Sequence, residues 1–244
     1  MTKPIYAIGD IHGQLAMLDT ALDHIEKDGG AEATVVFLGD YTDRGPDSRG
    51  VLDRLIQGQA AGKDWVFIKG NHDRMFEWFL QTPSRRDDFL LIDLSWVDAR
   101  LGGDTTLASY GIDMSIRWRY IDLHAAALDA VPADHIAFLR GLQLTHETPD
   151  LFFAHAGIRP GLALDGQDEE DLLWIRQEFH DHPNPHPKLV VHGHTPIKTA
   201  LHYGNRVNLD TGAGYGKALT VGVFDGGRVF TLDAPGRTPL LPTT

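Results

Sequence analysis

Val35-Val36-Phe37-Leu38-Gly39-Asp40-Tyr41-Thr42-Asp43-Arg44-Gly45 reads as an apolar strand that runs straight into a turn. A strand ending this way delivers its last side chains to one edge of a sheet. Here those side chains are two carboxylates and a guanidinium. Asp40 can ligate a divalent cation, Arg44 can fork onto a phosphate, and Asp43 can orient a neighbouring acid or base. A solvated turn can be spelled the same way, so the weight of this stretch depends on what the other strand ends carry.

Upstream, Ile5-Tyr6-Ala7-Ile8 reads as a strand that stops at Gly9-Asp10-Ile11-His12-Gly13. From Gln14 to Lys27, Leu15, Leu18, Leu22 and Ile25 recur with helical spacing, and Gly29-Gly30 ends the run. Strand, helix and strand within about thirty residues make a βαβ unit, which predicts parallel pairing. Asp10 and His12 stand two apart, so extended backbone puts both side chains on one face. A polar loop with a capping aspartate and a surface histidine would look no different. Downstream, Val51, Leu52, Leu55 and Ile56 predict a helix from Ser48 to Gln57, closed by Gly58 and Gly62. Trp65-Val66-Phe67-Ile68 is a third strand, ending in Gly70-Asn71-His72-Asp73 before a helix from Arg74 to Leu80. Open α/β sheets bind their ligands in the loops beyond such carboxyl ends.

Between Thr82 and Tyr120 the pattern is irregular. Arg85, Arg86, Asp87 and Asp88 read as a solvated charge cluster, whereas Trp96, Gly102, Gly103, Leu107, Tyr110 and Gly111 predict a packed helical excursion. Two short helices follow, Asp122 to Ala130 and Pro132 to Gly141, and residues 82–140 together are expected to cap the site. Leu142 to Glu147 and Leu151-Phe152-Phe153-Ala154 read as a hairpin whose second strand stops at His155. The run from His180 to Pro187 is rich in histidine, but its prolines deny it a rigid frame and predict an exposed loop without metal. Leu189-Val190-Val191 then leads into His192-Gly193-His194. Residues from His202 to Leu232 predict antiparallel strands, and 235–244 a flexible tail. No repeat and no break in composition divides residues 1–234, which are read as one α/β domain with mixed sheets and helices outside them.

Composition narrows the chemistry. The 244 residues include no cysteine, which removes disulfides, thiolate metal sites and cysteine nucleophiles and fits a reducing cytoplasm. Any metal must be held by oxygen and imidazole. A net charge of -12 argues against a surface that binds nucleic acid. No apolar run approaches the ~20 residues that span a bilayer, and the N-terminus enters a strand without a signal peptide. The expectation is a cytoplasmic protein with no membrane partner. In order, the strand ends carry Asp10 and His12; Asp40, Asp43 and Arg44; Asn71 and His72; His155; and His194. So many repetitions of apolar run, small residue and metal-capable side chain are hard to attribute to chance. The other histidines, His24, His124, His135 and His146 among them, are expected on the surface or in satisfied structural roles.

The order and spelling of these motifs resemble the calcineurin-like metallophosphoesterases of the phosphoprotein phosphatase type. The resemblance is to the bacterial and phage branch that includes lambda phosphatase and the symmetrical diadenosine tetraphosphatase. It rests on Gly-Asp-Ile-His-Gly at 9–13, Gly-Asp-Tyr-Thr-Asp-Arg-Gly at 39–45, Gly-Asn-His-Asp at 70–73, Ala-His-Ala-Gly at 154–157 and Gly-His-Thr-Pro at 193–196. It implies a sandwich of two mixed β-sheets flanked by helices, with a dinuclear centre at the strand carboxyl ends. By that resemblance Asp10 and His12 would hold one metal, Asn71, His155 and His194 the other, and Asp40 would bridge them. Such a donor set suits Mn²⁺, Fe or Zn²⁺, and the resemblance favours Mn²⁺. Two ions about 3.5–4 Å apart clamp a phosphoryl group and generate hydroxide at neutral pH. The family's His-Asp pair falls on His72, as general acid, and Asp43, as its orienting partner. Arg44 and Arg176 would fork onto the phosphate, Arg176 standing two residues past Trp174 where lambda phosphatase has Trp-Asn-Arg. Arg159 is a weaker third.

The chain departs from the family's pattern in places. Asp73 stands where protein phosphatases commonly spell glutamate, as it does in the diadenosine tetraphosphatases. Against that, Asp43 is kept where those nucleotide hydrolases tend to lose the acid, and their long late insertion is missing. Pro196 replaces a further ligand histidine of many calcineurin-like esterases, and His192 has no ligand counterpart in lambda phosphatase. The expected function is hydrolysis of phosphomonoesters, foremost phosphoserine, phosphothreonine or phosphotyrosine on proteins, with small phosphoesters as the other substrates. Cleavage of dinucleoside polyphosphates is the rival, and a non-catalytic binding module on the same scaffold a further one.

Overall fold

The computed structural model describes residues 3–243, whose strands form two mixed sheets. In the first, β1 (Ile5–Ile8), β2 (Thr34–Phe37) and β3 (Trp65–Phe67) are parallel neighbours, joined through α1 (Leu15–Gly29) and α2 (Ser48–Ala60). β1 also pairs antiparallel with β9 (Val221–Asp225), and the sheet continues through β10 (Arg228–Asp233) to β11 (Gly236–Pro239). The second sheet runs from β4 (Thr145–Glu147) through β5 (Leu151–Ala154), β6 (Leu189–His192) and β8 (Arg206–Asn208) to β7 (Leu201–His202). Its three inner strands are parallel and its two edges antiparallel. The remaining helices are α3 (Asn71–Phe79), α4 (Gly103–Ser109), α5 (Tyr120–Ala130), α6 (Ala133–Gly141), α7 (Glu169–Trp174) and α8 (Gln177–His180).

The apolar runs lack alternation because the central strands are covered on both faces. Tyr6, Ile8, Val35 and Phe37 pack with Leu18, Leu22, Leu52 and Leu55 of α1 and α2. Ala7, Val36 and Leu38 point the other way and meet Leu151, Phe153, Val191 and Val207 of the second sheet. Phe152, Ala154 and Val190 face outward from that sheet onto Leu172, Ile175 and Phe179. A strand-period alternation thus feeds three cores and leaves the strand ends as the places where polar side chains can gather. No helix among the described residues is long and apolar enough to cross a membrane.

Three expectations need correction. Gly58 does not stop α2, which runs on to Ala60; a Cβ there would lie 1.8 Å from the Trp65 ring, so the glycine serves a close approach. Asp87 is not part of a solvated cluster, since it is buried against Arg74. Residues 236–239 are not a flexible tail. They pair with β10, and Arg237 reaches Asp28 at 2.8 Å and Asp225 at 2.7 Å. Beyond His180, which ends α8, the histidine-rich run is a largely exposed loop as expected, with His186 stacked on Phe179 at 5.4 Å.

Candidate metal centre

Three strands of one sheet and two of the other end against Asp40. Among the described residues, the non-glycine positions with positive φ are His12 (47°), Asp40 (51°), Asp43 (73°), Arg44 (66°) and His194 (67°). Each such conformation costs about 1–3 kcal/mol and persists only where the surroundings over-determine it. All five are residues that the motifs place at the site. What holds the Asp40 turn is Asp73. Its Oδ2 accepts the N–H of Asp40 at 2.8 Å and of Gly70 at 2.9 Å, and its Oδ1 accepts that of Tyr41 at 2.9 Å. Gly70 is obligatory beside it, because a Cβ would fall 2.1 Å from Asp40 Oδ1. Sequence reasoning gave Asp73 no task; the available signal was an acid three residues into a helix start.

Asp40 turns its two oxygens to different histidines. Oδ2 lies 3.5 Å from His12 Nε2, and Oδ1 lies 3.5 Å from His155 Nε2. His12 Nδ1 donates to Thr42 O and His155 Nδ1 to Leu38 O, both at 2.8 Å. A carbonyl only accepts, so each neutral ring carries its hydrogen on Nδ1 and presents a bare Nε2 to the site. Asn71 Oδ1 is 2.9 Å from His155 Nε2 and 2.9 Å from His194 Nδ1. His194 N–H donates to both oxygens of Asp10, at 3.0 and 3.1 Å, while its Nε2 is buried without a partner. Around His155, acceptors face one another with no hydrogen to share, and a cation answers that arrangement.

The electrostatics agree. Burial, Arg44 and His72 hold His12 well below its ordinary value; burial and then His155 do the same for His194, and burial lowers His155. Imidazoles kept neutral are what a metal needs. Burial, Asp210 and Asp40 push Asp10 far up, and burial with Asp40 raises Asp210 to about 6. For Asp40 burial is outweighed by His155, His72, His12 and Arg44, which hold it low. These residues fit divalent ions. Ligand atoms of His12, Asp40 and His72 lie within 4.8 Å of one another, as do those of Asp10, Asp40 and His155. Asp40 is common to both groups, Asp10 groups with His155, and His72 joins His12.

Beside the ligands stands a second buried pair. His72 Nδ1 is 2.6 Å from Asp43 Oδ2. Trp96 Nε1 donates to the same oxygen at 2.8 Å, Thr106 Oγ1 donates to Oδ1 at 2.7 Å, and Ser48 Oγ accepts the Asp43 N–H at 3.0 Å. Trp96 and Thr106 come from the 82–140 segment, so part of that segment braces Asp43. Arg44 reaches His72 Nε2 at 2.9 Å, contacts His12 Nε2 as well, and lies over the Tyr215 ring at 4.8 Å. Arg176 lines the same cavity as Arg44. The carboxylates that might have claimed Arg176 are taken by Arg159, 2.6 Å from Asp171 and 3.5 Å from Glu178. Arg159 is therefore set aside as a phosphate ligand. His192 is buried and accepts from Arg206 at 3.1 Å, while His135 bridges Tyr110 and Asp53.

Known proteins resemble this chain along most of its length. It is 28% identical to an asymmetrical bis(5'-nucleosyl)-tetraphosphatase of Anoxybacillus flavithermus, over 87% of each chain. It is 27% identical to serine/threonine-protein phosphatase 1 of Salmonella typhimurium, over 90% of this chain and 91% of that one. A crystal structure of a candidate diadenosine tetraphosphatase superposes with a TM-score of 0.63 at 24% identity, covering 99% of this chain and 95% of that one. The sequence profile of the calcineurin-like phosphoesterases matches residues 3–221, and the chain belongs to that family.

Proposed function

We propose that this phosphoesterase is a phosphomonoesterase of the dinuclear type, acting on phosphoserine and phosphothreonine of proteins, with phosphotyrosine and small phosphoesters as further substrates. The observation that carries this is the 2.6 Å contact between Asp43 and His72, buried and braced by Trp96 and Thr106. An alkoxide is a poor leaving group unless protonated as its bond breaks, whereas a nucleotide leaves as a weakly basic phosphate. An acid built this carefully serves an ester. Asp43 holds the His72 hydrogen at Nδ1, and once Arg44 swings onto a phosphate, Nε2 is free to carry the proton that the leaving oxygen takes. Arg44 and Arg176 fork onto the non-bridging oxygens. Asp10, His12, Asp40, Asn71, His155 and His194 would hold two divalent ions, Mn²⁺ foremost, which would polarise the phosphoryl oxygens and make a water more acidic. The absence of cysteine supports a cytoplasmic setting.

A second reading has support in the several relatives named asymmetrical bis(5'-nucleosyl)-tetraphosphatase and in Asp73. Phosphopeptides, para-nitrophenyl phosphate and diadenosine tetraphosphate assayed in parallel with added Mn²⁺ separate the two. Turnover of both esters well above that of the dinucleotide is expected; cleavage of the dinucleotide alone would overturn the ester reading. Arg176→Ala should weaken inhibition by inorganic phosphate about tenfold, the scale of one charged hydrogen bond, and Arg159→Ala should not. Equal effects would remove Arg176 from phosphate binding.

A further inference from the structure

The ligand side chains form one side of a cavity of about 200 Å³. The other side is apolar, made by Phe89, Leu91, Leu94, Leu101 and Trp174. Phe89 lies flat on Trp174, with ring centroids 5.4 Å apart and planes 9° from parallel, and Trp174 meets His194 edge-on at 5.9 Å. The wall is therefore continuous with the metal ligands. Yet Phe89 and Leu91 keep 54% and 68% of their surface exposed. Large apolar side chains left open beside an ester-cleaving site point to something that covers them during turnover.

The wall is also anchored. Arg74, 1% exposed, follows His72 by two residues on α3. Its Nε and one terminal nitrogen donate to the buried Asp87 at 3.0 and 2.8 Å, and its two terminal nitrogens donate to Glu170 at 3.0 and 2.9 Å. Asp87 opens the segment that carries Phe89 and Leu91. Glu170 sits in the first turn of α7, whose last residue is Trp174. One guanidinium thus ties both halves of the wall to the helix that bears the proton donor, a task its planar fork can do and a lysine's point charge cannot.

We propose that this apolar wall is the leaving-group subsite, that it takes an aromatic or aliphatic group carried beside the ester oxygen, and that Arg74 is the positioning residue that holds it in place. The proposal rests on the phosphomonoester reading. Its test is the ratio of kcat/KM for 2-naphthyl phosphate to that for phenyl phosphate, two esters whose leaving groups are of nearly equal acidity. The wild-type ratio should be about ten or more, carried by KM, as expected of added apolar surface in a fitted pocket. Phe89→Ala should bring it toward one. So should the double variant Glu169→Gln/Glu170→Gln, which releases α7 through exposed residues, and Arg74→Lys, with melting temperature confirming that each variant is folded. A wild-type ratio near one, or a ratio that survives Phe89→Ala, overturns the subsite. A ratio that survives both the glutamate pair and Arg74→Lys overturns the part given to Arg74. Cleavage of diadenosine tetraphosphate with neither aryl phosphate touched would instead bring down the phosphomonoester reading beneath it.

Discussion

His72 stands between two partners with different demands. Asp43 Oδ2 accepts a hydrogen bond from Nδ1 at 2.6 Å, and Arg44 donates to Nε2 at 2.9 Å, so both ring nitrogens are engaged. Because its ligand atoms also lie within 4.8 Å of those of His12 and Asp40, His72 could serve as a metal ligand instead of an acid. Leaving-group dependence and metal content separate the two roles. His72→Asn should slow alkyl phosphate hydrolysis by about 10²–10⁴-fold and para-nitrophenyl phosphate hydrolysis far less, with metal content unchanged. Equal losses on both substrates, or a lost metal, contradict the assignment. The candidate ligands stood out in the sequence because each is spelled at the end of an apolar run. Asp73 was not, since it acts on backbone N–H groups more than thirty residues away. Nor were Trp96 and Thr106, whose bonds to Asp43 span 53 and 63 residues and leave no local pattern.

At the scale of elements, a glycine shows how a sound local rule fails. Gly58 reads as a helix stop because glycine has low helix propensity, but the Trp65 ring occupies the place of its Cβ. That ring is itself fixed against Phe37, 5.2 Å away, and Phe67, 6.3 Å away. Gly58→Ala would gain about 1 kcal/mol of helix propensity and lose about 1–3 kcal/mol to overpacking. With the added carbon 1.8 Å from a ring packed on Phe37 and Phe67, the loss wins, and Tm should fall by a few degrees. An unchanged or higher Tm in a thermal melt would show that α2 can slide off Trp65. The segment from 82 to 101 was illegible for a related reason. Its order comes from Asp87 on Arg74 and from Trp96 stacked on Phe76 at 5.0 Å, both contacts with α3, and not from any period of its own.

For the whole molecule, the βαβ order and the apolar runs were enough to foresee an α/β domain with mixed sheets, and the family resemblance implied that there are two, whereas their assembly through three separate cores is visible only in the packing. Beneath the second sheet, His180 shows how that packing shapes the response to acid. Burial, then Arg206 and Arg176, lower its pKa to about 4 from an unfolded value of 6.5. The unfolded chain takes this proton first, so the contribution of His180 to stability is complete above pH 6.5 and is lost as pH falls toward 4. His180→Gln should therefore lose less Tm than the wild type between pH 7 and pH 5; identical losses would contradict it. The central claim is that five strand ends converge on Asp40, which would serve both metal sites. Elemental analysis of wild type and Asp40→Asn after loading with Mn²⁺, beside far-ultraviolet circular dichroism, tests it most directly. The account predicts two ions per wild-type chain, fewer than one per variant chain, and the same folded spectrum for both. Two ions per chain in the folded variant would contradict it.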